Sequence, residues 1–205
     1  MKDSDYKEET KNTYEKFADI FDEKFELYQR EFIKNEIDEF LKRLSPRSRI
    51  LDIGSGSGNH AFYFKENNHD VLCIDISEQM IKRCREKGLN AQLMDFEKLT
   101  FQENTFDGVC AYTSLLHTTK KNIKNILNKI FKILKPGGVF FLGMKAGNEE
   151  GFVINGEKYP GAKRWFSLYT DHELRRYFND NLKIEFFSKT NVNEKTFLNY
   201  IIRKI

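Results

Sequence analysis

The sequence predicts an α/β protein built on a seven-stranded, mostly parallel sheet with helices on both faces and an antiparallel last strand. Three observations carry this. Apolar, strand-like runs alternate with amphipathic helical stretches between residues 49 and 145, the pattern of a parallel sheet covered on both sides. The first run leads into RILDIGSGSGNH, where Gly54, Gly56 and Gly58 bare the backbone at alternate positions; a chain does this to turn sharply or to let a ligand lie against it. The last two runs, LKIEFFSKT and FLNYIIRKI, are separated only by the stretch beginning NVNEK. That is too short for a helical crossover, so they must pair antiparallel.

The elements follow in order. Tyr14, Phe17, Ala18, Phe21 and Phe25, then Ile33, Ile37, Phe40, Leu41 and Leu44, recur at three-and-four spacing and predict two helices. SPRS at 45–48 stops the second, because Pro46 lacks an N–H and disfavours helix at Ser45. RILDI is a buried strand, followed by the glycine turn and a helix from Asn59. VLCIDI (71–76) is the second strand; Ser77 caps a helix whose inner face holds Met80, Ile81 and Cys84 and which ends at Gly88. AQLMD (91–95) and FDGVCAY (106–112) are the third and fourth strands. NIKNILNKIFKIL sets Ile123, Ile126, Leu127, Ile130, Phe131 and Leu134 on one helical face, and KPGG opens the fifth strand, VFFLGMK. A looser stretch occupies 146–169, and Thr170 with Glu173 forms a capping box for a helix over 171–179.

The bulk properties set the class. At 205 residues the chain is long enough for one domain with a real core. Its apolar runs are too short to span a membrane, and the polar start MKDSDYKEET is not a signal peptide. Cys73, Cys84 and Cys110 have no metal-ligand spacing, nor do the four histidines, so no metal is expected and a reducing, cytoplasmic home is the default. A net charge of +3 does not by itself argue for nucleic acid.

In an open parallel sheet, ligands bind beyond the carboxyl ends of the strands, near the point where strand order reverses. Asp75 ends the second strand, 17 residues past Gly58. It can accept hydrogen bonds from both hydroxyls of a ribose, or it caps the following helix. Asp95, in MDF after the third strand, can accept from an exocyclic amine while Phe96 or Met94 lies on an adenine face; the plain alternative is a turn. Asp52 stands two residues before Gly54. An acid there repels phosphate and suits a ligand with an amine or a positive centre, unlike the G-x-G-x-x-G loop of dinucleotide folds.

Taken together, ILDIGSGSG, VLCIDISEQMI, AQLMDFEKLTFQENTFDGVCAYTSLLH and LKPGGVFFLGM resemble the successive signatures of class I S-adenosylmethionine-dependent methyltransferases. The resemblance covers residues 49–145 and implies a Rossmann-like sheet with the seventh strand inserted antiparallel between the fifth and sixth. It implies S-adenosyl-L-methionine as cofactor. Gly54, Ser55 and Gly56 would pass under its methionine part, with Asp75 on the ribose and Ile76 and Met80 beside the adenine. Asp95 would meet the adenine amine, Phe96 the ring, and Tyr112 and Thr113 the sulfonium side. Serine at position 55, where the family often has cysteine, is a mild departure. The chain then divides into an N-terminal helical lid (1–45), a cofactor-binding core (49–145), an insertion (146–169) and a helix plus hairpin (170–205).

Around the acceptor, Tyr14 either closes over the sulfonium or packs with Phe17 and Phe21. His117 is placed as a base or as a loop-fixing hydrogen-bond partner. Lys145 meets an anionic substrate or is solvated. In KRWFSLYT, alternation sends Arg164, Phe166 and Leu168 one way and Trp165 and Ser167 the other; with Tyr169, one of these faces either roofs the acceptor pocket or forms a satellite cluster. The compact lid favours a small-molecule acceptor methylated at O, N or S by in-line displacement. RWFSLYTDHEL also resembles a region of tRNA wobble-uridine methyltransferases, which makes nucleic acid the alternative partner; the lysines of 120–135 point several ways and read as a solvated face. A non-catalytic scaffold that keeps the fold is the third possibility. The oligomeric state is not legible.

Overall fold

The computed structural model describes residues 5–154 and 159–205. Seven strands form one sheet: β1 (Arg49–Ile53), β2 (Asp70–Asp75), β3 (Asn90–Leu93), β4 (Phe106–Tyr112), β5 (Leu134–Lys145), then β8 (Leu182–Val192) and β9 (Lys195–Lys204). Their order is β3-β2-β1-β4-β5-β9-β8, with β9 antiparallel to both neighbours. The predicted insertion of the last strand is therefore what the sheet contains.

Period-two alternation splits the core into two layers. Leu51 and Ile53 face one side with Phe140 and Leu142, under α6 (Lys120–Ile133) and its buried Ile123, Ile126, Leu127 and Ile130. Ile50, Cys73, Cys110 and Phe141 face the other, under α3 (Lys34–Leu41), α4 (Asn59–Glu66) and α5 (Glu78–Glu86). All three cysteines are buried and free, packing as small hydrophobes. Ser77 Oγ accepts the Met80 N–H at 3.2 Å, the expected cap of α5, and Thr170 and Glu173 form the expected capping box on α7 (Asp171–Arg175). That helix is shorter than predicted, since Tyr177 and Phe178 leave it to pack against the core.

The N-terminal region holds more pieces than the two helices expected. α1 (Asp5–Lys16) and α2 (Ala18–Tyr28) are followed by a π turn (Gln29–Ile33) and α3. The side chain of Phe25 lies outside the described residues. Only α1 and α2 form a lid; α3 covers the sheet, with Phe40 against Phe64 and Phe141 at 5.5 and 5.8 Å. It also buries Glu36, whose Oε1 accepts from Ser188 Oγ at 2.8 Å, Thr190 Oγ1 at 2.9 Å and Asn199 Nδ2 at 3.5 Å. Replacing Glu36 with alanine strands the Ser188 and Thr190 hydroxyl donors, while Asn199 keeps its bonds to both. The expected loss is about 3 kcal/mol, a melting temperature lower by roughly 6–12 °C, checked by thermal unfolding.

The segment 146–169 is not loose. Glu150–Ile154 (β6) and Lys163–Ser167 (β7) pair as a separate antiparallel hairpin; residues 155–158 lie outside the described residues. The edge of β7 is covered by α1. Thr13 Oγ1 bonds the Lys163 N–H and C=O, both at 3.0 Å, and Thr10 Oγ1 accepts the Trp165 N–H at 2.9 Å. Those threonines blunt an edge strand that would otherwise expose unpaired backbone groups.

Candidate functional site

Strand order reverses between β1 and β4, and a cavity of about 390 Å³ opens there at the carboxyl ends of the strands, within the usual range for small-molecule sites. The glycine turn forms its floor. Gly54 (φ +63°) and Gly56 (φ +54°) take left-handed conformations, and a Cβ on Gly54 would lie 2.4 Å from Ser114 Cβ at the end of β4. Thr113 has φ +53°, a non-glycine residue in a sparsely populated region, as strained sites often show. Gly143 makes room for the Tyr112 ring, which a Cβ would approach to 2.2 Å.

Asp75 closes one wall. Its Oδ2 accepts the Gly56 N–H at 3.0 Å and its Oδ1 the Ser77 N–H at 2.9 Å; the cap of α5 is Ser77 itself, and each Asp75 oxygen keeps a lone pair for a further donor. Burial raises its carboxyl to about 6, against the backbone donors. Ile76, Met80 and Phe96 continue this wall, and Ser55, Tyr112 and Thr113 line the floor.

The rest of the lining comes from α1, the turn after β4, the end of β5 and the hairpin. Tyr14, His117, Lys145, Arg164 and Phe166 all line the cavity. His117 Nδ1 lies 2.6 Å from the Trp165 carbonyl, which only accepts, so Nδ1 carries the proton. Nε2, 2.8 Å from Tyr14 Oη, is then the acceptor of the tyrosine O–H. Tyr14 Oη in turn accepts from Arg164 Nη1 at 3.1 Å. Burial, and then the Arg164 charge, hold the imidazole near 3, while burial raises the phenol of Tyr14. The folded value lies below the ordinary 6.5 of an imidazole, so the unfolded chain binds the extra proton. Stability from a neutral His117 is full above pH 6.5 and is lost as pH falls toward about 3. H117Q is expected to flatten the acid limb of stability by about 1.4 kcal/mol per pH unit across that window, measured by urea unfolding against pH.

Four residues named with these stand elsewhere. Asp95 caps the 3-10 turn Phe96–Lys98 through the Glu97 N–H at 2.8 Å and pairs with Lys7 of α1 at 2.9 Å; it fastens the lid rather than lining the cavity. Trp165 turns away, because alternation along β7 sends Arg164 and Phe166 to the cavity; its indole packs between Tyr6 at 5.4 Å and Phe152 at 5.3 Å. Tyr169 is in the main core. Asp52 lies behind the floor, its Oδ2 buried without a partner among the described residues. Burial lifts it to about 7, so a cation brought near would restore its charge. Its carboxylate, His60 and Cys110 place their ligand-type atoms within 4.8 Å of one another, and His60 carries this cluster to the cavity wall.

Asn193 and Lys195 also line the cavity and were missed. Asn193 sits in the β8–β9 turn and Lys195 opens β9, and only the insertion of β9 beside β5 brings that end of the hairpin to the same edge. Thr10 was missed as well; its three-residue spacing to Thr13 on α1 was the available signal.

A reversed parallel sheet, a bare glycine floor and a carboxylate at the second strand tip stand where ligands bind in open α/β folds. Residues 50–138 match the methyltransferase domain family. An uncharacterized protein of Methanocaldococcus jannaschii is 29% identical over 160 residues, covering 78% of this chain and 72% of that one. The glycine/sarcosine/dimethylglycine N-methyltransferase of Actinopolyspora halophila is 35% identical over 104 residues, which is 46% of this chain but only 18% of that one. Among solved structures, the 1,6-didemethyltoxoflavin-N1-methyltransferase of Burkholderia thailandensis, bound to its substrate and S-adenosylhomocysteine, superposes with a TM-score of 0.74 at 18% identity, covering 94% of this chain and 84% of that one. That last likeness is one of fold. Residues 50–138 thus carry the match to a methyltransferase domain, and the likeness of the whole fold to solved methyltransferases extends over most of the chain. No helix among the described residues is long and apolar enough to cross a membrane.

Proposed function

We propose that the protein methylates a small molecule at an O, N or S atom. The observation that carries this is that one cavity is lined both by the glycine turn with Asp75 and by Tyr14, His117 and Arg164. The unpartnered Asp52 oxygen behind the glycine floor fits a ligand with a positive centre.

When bound, S-adenosylmethionine supplies a methyl group already activated on a sulfonium. Asp75 would accept from the ribose hydroxyls, Ile76, Met80 and Phe96 would flank the adenine, and Gly54, Ser55 and Gly56 would leave room for the methionine part. The work left to the protein is alignment and the exclusion of water, which can lower a barrier by about 7–11 kcal/mol. Tyr14 Oη has one lone pair left after its two hydrogen bonds. It would accept the N–H or O–H of the acceptor, and as that proton leaves, Tyr14 passes its own to His117 Nε2. This relay is uphill while burial and an unpaired Arg164 hold the imidazole near 3.

The acceptor cavity is closed over by α1 and β7, which favours a small acceptor over a nucleic acid. The lysines of α6 support the same choice: Lys120 pairs with Glu173 at 3.1 Å and Lys129 donates to the Glu97 carbonyl at 2.6 Å. Transfer of label from tritiated S-adenosylmethionine, offered a metabolite extract and bulk tRNA separately, tests the proposal. Label in the low-molecular-weight fraction is expected. Label in tRNA alone would overturn the small-molecule acceptor, and no S-adenosylhomocysteine binding by calorimetry would leave a scaffold.

A further inference from the structure

The acceptor wall holds a buried cation with no anion. Arg164 is 7% exposed, and no carboxylate among the described residues lies within ion-pair distance of it. Its one hydrogen bond goes to the neutral Tyr14 hydroxyl at 3.1 Å, and its Nε is buried without a partner. The rings of Phe21, Phe166 and Tyr14 surround the guanidinium at 4.8, 5.1 and 5.4 Å. These contacts hold it in place but do not neutralise it. A buried charge left in this state is costly unless something pairs it.

Two more cations share the cavity. Lys145 and Lys195 both line it, and neither has an ion pair among the described residues. The Lys145 ammonium stands 5.6 Å from the Phe166 ring centre. Burial lowers its pKa, and Lys195 and Arg164 lower it further against the opposing Glu149; like charges are thus held together. Asp75, the acid that lines the cavity, is not within ion-pair distance of these cations and is already bonded to the Gly56 and Ser77 N–H groups.

We propose, resting on the methyltransferase reading above, that the acceptor is a flat organic anion whose carboxylate or phosphate is held by the free edge of Arg164, with Lys145 and Lys195 flanking it. The planar guanidinium fork suits such a group, and Phe166 and Phe197 beside it suit an aromatic or conjugated body. Pairing Arg164 also removes one of the two causes that keep His117 from taking a proton, so binding the anion prepares the relay through Tyr14. The same chemistry has a second possible source, the carboxylate of the cofactor's own methionine part, and the test separates them.

Calorimetry on the full chain saturated with S-adenosylhomocysteine compares two matched pairs: 4-hydroxybenzoate with 4-hydroxybenzamide, and phenyl phosphate with phenol. At least one anion is expected to bind ten times or more tighter than its neutral partner. In R164Q that preference should fall below threefold, while the affinity for S-adenosylhomocysteine stays within threefold of wild type. A preference under tenfold in both pairs, or one that survives R164Q, overturns the proposal. So does a loss of S-adenosylhomocysteine affinity beyond threefold in R164Q, which would give the anion to the cofactor. Should R164Q not fold, K145Q answers in its place: the preference falls at least threefold, or the proposal fails. Wild-type protein that binds no S-adenosylhomocysteine at all defeats the methyltransferase reading instead, a separate result.

Discussion

D75A is expected to weaken S-adenosylhomocysteine binding by at least about 100-fold, because two charge-assisted hydrogen bonds to a ribose contribute roughly 1.5–3 kcal/mol each. D75N should lose nearly as much. Its amide would set N–H groups against the Gly56 or Ser77 N–H that the carboxylate now accepts at 3.0 and 2.9 Å. The empty protein should lose stability as well, about 1–3 kcal/mol for each backbone N–H of Gly56 and Ser77 left unpaired, so affinity is read at a temperature where the variant is shown to be folded. Affinity should also depend on pH. The ribose needs the ionised form, so affinity holds above about 6 and falls by about tenfold per pH unit below it. Calorimetry at several pH values checks both expectations; unchanged affinity in D75A would leave Asp75 only the role of bracing the glycine turn and Ser77.

The second large effect is expected from G54A. The added Cβ would lie 2.4 Å from Ser114 Cβ, and the residue would be held at φ +63°. The left-handed conformation alone costs about 1–2 kcal/mol, and the clash forces β1 and β4 apart at their tips. A destabilisation of about 3 kcal/mol or more follows, with melting lowered by roughly 6–12 °C. The same shift narrows the cavity floor, so S-adenosylhomocysteine binding should be lost even where the variant still folds. Thermal unfolding and calorimetry on one preparation give both numbers. The double variant G54A/S114G, which removes the obstructing Cβ, should recover part of the stability.

Local pattern carried most of the fold into view. The apolar face of α6, the cap at Ser77 and the capping box at Thr170 are set by spacing within a few residues, so they can be read along the chain; the place of the last strand in the sheet followed only from the resemblance to class I methyltransferases. The hairpin β6–β7 was harder to see because β6 is half exposed and shows no alternation of burial. The glycine floor and Asp75 were legible for the same local reason: both follow directly on a strand end. Asp95 was not, because its partner Lys7 lies 88 residues away and nothing in MDF announces it. Alternation along KRWFS separated Arg164 from Trp165 but could not say which face met the cavity; α1 decides that by covering the Trp165 side. Neither Tyr14 nor His117 signals the other in sequence, and only the docking of α1 on β7 brings their polar atoms to 2.8 Å.

A crystal structure of the protein grown with S-adenosylhomocysteine tests the central claim most directly. It should show the nucleoside in the crevice between β1 and β4, both ribose hydroxyls on the Asp75 carboxylate and the tail running over Gly54 and Gly56. A nucleoside bound elsewhere, or a crevice that accepts a dinucleotide pyrophosphate in its place, would contradict the account.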